Sequence, residues 1–116
     1  MQDPANRTLN QLEGATERPT GLSEQAQRAR ELRNVRLNDL QVEDLRVLIV
    51  EDQGLGYVVP LALDVLAIRP DAAGRFAGDL LAAVERLPSG FWLTHADLRR
   101  RIERIQARRL ADEFGD

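Results

Sequence analysis

From Asp44 to Leu66 the chain reads DLRVLIVEDQGLGYVVPLALDVL, its most apolar stretch, interrupted by a Gly-Leu-Gly turn. Within it, Tyr57 to Ile68 carries one ionisable acid, Asp64. At roughly 100° per residue, Val58 and Val65 fall on one side of a helix, Val59 and Leu66 opposite, and Leu61 and Ile68 between them. A helix apolar all round is enclosed by its neighbours. At about a dozen residues it is too short to cross a bilayer, which takes roughly 20. The pattern predicts a buried central helix over about 57–68, with Pro60 in its first turn, where a missing N–H costs little.

The flanking segments read as its cover. Ser23 caps a first helix in which Ala26, Ala29, Leu32 and Arg33 recur at helical spacing, with Glu24 in the first turn. Arg28, Arg30, Arg33 and Arg36 make the later part of this segment basic, which suits the negative end of a helix dipole. After a connector over 34–40, a second helix is expected from Gln41 to Asp52, with Asp39 as its cap. Val42, Leu45, Leu48 and Ile49 form its main apolar arc. Val47 and Val50 fall on the other side, among Glu43 and Glu51; either another helix covers that side, or an apolar-acidic surface stands open. Gly54-Leu55-Gly56 closes this helix, a glycine taking the left-handed conformation after the last turn.

Arg69-Pro70 ends the central helix, and Phe76 is expected to fold back from the next loop as a lid on the core. Asp79 reads as the cap of a fourth helix over 80–87, with Leu80, Leu81, Val84 and Leu87 inward. Phe91-Trp92-Leu93 is read as an apolar plug. Thr94 with Asp97 suggests a capping box opening the last helix. Leu98, Ile102 and Ile105 form the core stripe of that helix, which is expected to leave the core beyond Ile105 because Leu110 and Phe114 lie on a different side. Residues 1–21 hold two prolines and two glycines and read as an extended arm that Leu9 and Leu12 could pin to the helices. No segment alternates apolar and polar residues for long. The expected fold is therefore all-α: a compact single-domain bundle of about five helices over residues 22–116, preceded by the arm.

Composition narrows the chemistry. With 116 residues the chain is the size of one domain. Its net charge of −3 argues against general nucleic-acid affinity. All 16 basic residues are arginine, which stays charged and favours planar pairing with carboxylates. Cysteine is absent, which excludes disulfides and thiolate catalysis. No signal-peptide pattern and no membrane-length apolar run is present, so a cytoplasmic protein is expected. The single histidine, His95, has no second ligand at metal spacing and reads as solvated. Ser23 and Ser89 lack a nucleophile-elbow context. No cofactor is expected, and nothing positive supports an enzyme.

Two binding readings remain. Between Leu37 and Glu85 nine acids stand against three arginines, leaving six net negative charges in the centre of the chain. Such a surface suits a basic partner. The rival is an adaptor that binds nucleic acid or protein through the final helix, with its Arg99-Arg100-Arg101 run and Arg104, Arg108 and Arg109; Asp97, Glu103, Asp112 and Glu113 dilute that cluster, and Glu103 can pair with Arg99 or Arg100. A helix-turn-helix over 45–68 fails because its second helix would offer a DNA groove valines, leucines and one aspartate.

One combination is more specific. Leu45-Arg46, Ile49, Gly54-Leu55, Tyr57 and Pro60-Leu61-Ala62-Leu63 are followed by Gly78-Asp79-Leu80-Leu81 and Phe91-Trp92. This string, above all GLxYxxPLAL followed by GDLL, resembles the helical immunity proteins of bacterial contact-dependent growth inhibition systems, from about Arg7 to Ile105. The resemblance implies a non-enzymatic protein that binds and neutralises a cognate toxin domain, blocking its active site or its access to substrate. The acidic centre would suit a basic nuclease among such toxins. The interface is then expected on the second helix, at Glu43, Asp44, Val47, Glu51 and Asp52.

Overall fold

In the computed structural model, helix α4 (Leu55–Ile68) runs through the middle of the molecule. The structure describes residues 4–15 and 20–114, and the expectations for 1–3, 16–19 and 115–116 lie outside them. Val58, Val59, Ala62, Leu63 and Leu66 of α4 are fully enclosed. They pack against α3 (Val42–Val50), α5 (Asp79–Glu85) and α7 (Ala96–Phe114). The remaining helices are α1 (Leu9–Glu13), α2 (Glu24–Leu32), which lies on α3, and α6 (Ser89–Thr94), which lies on α7. The fold is all-α, with seven α-helices and no strand among the described residues. The central helix reaches solvent along Asp64 and Ile68, the latter 77% exposed.

The turn between α3 and α4 differs from the glycine reading. Asp52, not a glycine, takes the left-handed position after α3, at φ 56°. Its N–H donates to Ile49 O, and the Gln53 N–H donates back to Leu48 O at 2.9 Å, the paired bonds that close a helix in a Schellman motif. Gly54, also left-handed at φ 62°, instead starts α4: its carbonyl accepts from the Tyr57 and Val58 N–H groups. The central helix thus begins two residues earlier than the pattern suggested. Pro60 then lies beyond the first turn, where its ring removes the bond to the Gly56 carbonyl.

Gly54 is also a docking point. A Cβ at this position would lie 2.5 Å from a Leu9 methyl, and Leu9 is wholly buried. The segment read as an extended arm therefore carries a helical turn that enters the core. Thr8 caps α1 by accepting from the Gln11 N–H, while Gln11 Oε1 accepts from the Thr8 N–H. Around it, the Asn10 N–H donates to Arg33 O, and the Leu37 N–H donates to Arg7 O. Substituting Gly54→Ala combines a left-handed side chain with a collision against an immobile leucine, and should cost about 1.5 kcal/mol in urea unfolding.

Arg33, which recurs at helical spacing with Ala29 and Leu32 and also belongs to the basic residues of the helix end, is buried, at 4% exposure. Its guanidinium donates to Asn10 Oδ1 at 2.9 Å, Glu13 Oε1 at 3.0 Å, Gly14 O at 3.2 Å and Gln53 Oε1 at 3.3 Å. One planar donor group with five N–H bonds to give can join α1, α2 and the α3–α4 turn, which no apolar side chain could do.

Four further expectations are corrected. Phe76 is 74% exposed and covers nothing. The plug is the short helix α6, in which Phe91 and Trp92 meet edge to face at 5.0 Å while Leu93 stays outside. Thr94 does not cap α7: its hydroxyl donates back to Phe91 O at 3.0 Å and Gly90 O at 3.2 Å, ending α6. His95 is half-buried rather than solvated, stacked on Phe91 with ring centroids 4.3 Å apart. The expected departure of the last helix does occur, with Leu98, Ile102 and Ile105 buried and Leu110 and Phe114 outside.

Candidate functional site

The five residues assigned to an interface on α3 have different fates. Glu43 grips Arg46 with both carboxylate oxygens, 3.0 Å from Nε, and stands 3.8 Å from Arg75. A methyl group at Gly74 would strike the Glu43 carboxylate and lie 3.0 Å from its Cα, so the α4–α5 loop is pressed onto α3 here. Arg46 lies 3.8 Å from Asp79 as well. Glu43 is thus committed to a cluster that ties α3 to the start of α5.

Asp79 holds the other end of that cluster, in a role the sequence reading missed. It does not cap its own helix, whose N-cap is Gly78. Its carboxylate accepts from the backbone N–H groups of Gly74 at 2.7 Å, Arg75 at 2.8 Å and Phe76 at 3.0 Å. Partial burial pushes this carboxyl up, but the three backbone donors and the nearby Arg46 charge outweigh it and hold it below the usual carboxylate value. Arg46 is held above its ordinary value, chiefly by its hydrogen bonds to Glu43, against some desolvation.

Asp44 is also occupied. It accepts from the Gln41 N–H at 2.9 Å in the capping box of α3 and faces Arg28 at 3.6 Å. Val47 is only 6% exposed, which removes it from any outer surface. Val47 and Val50 therefore part company: the first is covered, and the second is 47% exposed. Glu51 is half-buried and accepts from Gln25 Nε2 at 3.2 Å. Asp52 is exposed, and its carboxylate has no hydrogen bond or ion pair among the described residues.

Val50 and Asp52 open onto a cleft of about 350 Å³ between the ends of α3 and α5. Ile49 and Ala83 floor it, Val50, Leu87 and Pro88 give it apolar walls, and Arg86 joins Asp52 in the lining. The sequence signal for this site was Val50, an apolar residue on the charged side of its helix. Its partners on α5 are far away in the chain and carried no signal.

The arginines of α7 are engaged only in part. Arg99 pairs with Glu103 at 2.9 Å, Arg101 pairs with Asp64, and Arg108 donates to Ala67 O at 2.8 Å, while Arg100, Arg104 and Arg109 are exposed without an ion pair among the described residues. Among the described residues no group of three or more carboxylates and imidazoles could hold a metal ion, and no helix is long and apolar enough to cross a membrane.

The geometry is that of a helical domain whose core is closed and whose free groups lie at helix ends and on outer faces. A family model for CDI immunity proteins matches residues 11–102. The chain belongs to this family of immunity proteins, whose members bind cognate toxin domains. Neither the curated proteins nor the solved structures contain a match to it.

Proposed function

We propose that this protein neutralises one cognate toxin domain in the cytoplasm by forming a stoichiometric complex that covers the toxin's active site or the path of its substrate. Membership of the immunity family over residues 11–102 carries the reading. The protein contributes surface and charge rather than a reaction of its own. The central excess of six negative charges supports a toxin with a basic surface, as a nuclease has because it binds phosphates. Of the five residues first assigned, Glu51 and Asp52 remain suited to the interface. Glu43 and Asp44 are engaged inside the molecule, and Val47 is buried.

The test is co-expression with the toxin domain encoded beside this chain, scored by survival and co-purification. Wild type should restore growth and co-purify at one to one. The double reversal Glu51→Arg, Asp52→Arg should weaken the complex by at least about tenfold, a cost of roughly 1.4 kcal/mol. Reversing Asp112 and Glu113 at the far end of α7 should leave binding unchanged. Growth restored without an isolable complex would defeat the binding mechanism.

A further inference from the structure

The cleft between α3 and α5 is lined by one residue that the fold alone would not select, Asp52. Glu51 and Asp52 follow the C-terminal end of α3, where the helix dipole is negative and a cation, not an anion, is stabilising. Asp52 also occupies the left-handed position that glycine takes at least cost. Its carboxylate gains nothing in return inside the molecule, since it has no partner among the described residues. Helix α5 ends at the same cleft, with Arg86 as its C-cap, so a second set of C-terminal carbonyls adds negative potential there. Departures from local preference without an internal gain tend to lie at functional positions.

The walls supply the other half of the recognition. Val50 and Pro88 are exposed apolar groups beside Leu87, above a buried Ile49. An apolar wall leading to a carboxylate matches a side chain with an aliphatic stem and a cationic head. Arg86, exposed within the same lining and without an ion pair among the described residues, offsets the charge of Asp52 unless its side chain turns outward to solvent as the guest enters. We infer that this cleft seats a single arginine or lysine of the toxin domain, its stem against Val50, Leu87 and Pro88 and its charge beside Asp52. The inference rests on the toxin-binding reading and gives that contact its chemistry.

The experiment is calorimetric titration of a catalytically inactivated form of the neighbouring toxin domain with wild type, Asp52→Gly and Val50→Ser. Asp52→Gly removes the charge and relieves the left-handed backbone, so it should bind at least tenfold more weakly while melting at a higher temperature than wild type. That pairing separates a binding role from a structural one, because a merely damaged fold would melt lower. Val50→Ser should also weaken binding, by several-fold, and the wild-type affinity should fall with added salt. Asp52→Gly binding within twofold of wild type would overturn the inference while leaving toxin binding intact. Loss on Val50→Ser alone would show an uncharged apolar occupant and overturn it equally. Failure of wild type to bind would bring down the toxin-binding reading itself.

Discussion

Arg33→Ala should lower the stability of the protein by about 3 kcal/mol, the range expected when a buried, multiply bonded charge is removed. In a domain of this size that is a fall of roughly 12 °C in melting temperature. The loss comes from four acceptors. Asn10 and Gln53, both half-buried, lose a donor where water has limited access, whereas Glu13 and Gly14 are exposed and rehydrate readily. Glu13→Ala should therefore cost much less, about 1 kcal/mol, because the guanidinium keeps its three other partners. Arg33→Lys should resemble the alanine variant more than wild type, since a single ammonium cannot reach the acceptors of α1 and of the α3–α4 turn at once. Urea unfolding followed by far-UV circular dichroism measures all three. Equal losses for Arg33→Ala and Glu13→Ala would place the energy in the ion pair and not in the network.

Asp79→Ala should cost about 2 kcal/mol, because three backbone donors and Arg46 lose a charged acceptor together. The same residue makes stability depend on pH in a defined window. Its carboxyl is held below the ordinary value in the folded protein, so the unfolded chain takes up its proton first as the pH falls. Its contribution is complete above the unfolded value of about 3.9 and is lost as the pH drops through that value toward the folded one. Urea midpoints measured from neutral pH down to about pH 3 should fall more steeply for wild type than for Asp79→Asn, which keeps an acceptor oxygen but has no proton to gain. Parallel curves would show that the charge of Asp79 is not the source of the acid sensitivity.

The parts of this structure that could be read in advance are those with a local cause. The all-round apolar pattern of 57–68 announced a central helix, Ser23 announced the start of α2, and the stripe of Leu98, Ile102 and Ile105 marked how far α7 stays on the core. What escaped depends on distant partners. Arg33 reads as one of several cations suited to a helix end until Asn10, Glu13 and Gln53 are brought around it. Asp79 stands where a helix cap belongs, yet the path of the loop at Gly74, pressed against Glu43, aims three N–H groups at it instead. Phe76 and Leu93 were assigned inward on hydrophobicity alone, a one-way rule that says nothing of where the chain can place them. At the candidate interface the acids were legible and their availability was not. Glu43 and Asp44 are spent on Arg46 and on the first turn of α3, and only the folded chain shows that Asp52 is left over.

Leu9, seated against Gly54, has a practical meaning for anyone trimming this chain. The stretch shared with the family begins two residues after that leucine and finishes three residues before Ile105, another side chain of the interior. A fragment cut at the homology limits would thus start and stop inside the core, so the unit that folds is longer at both ends than the unit recognisable by kinship.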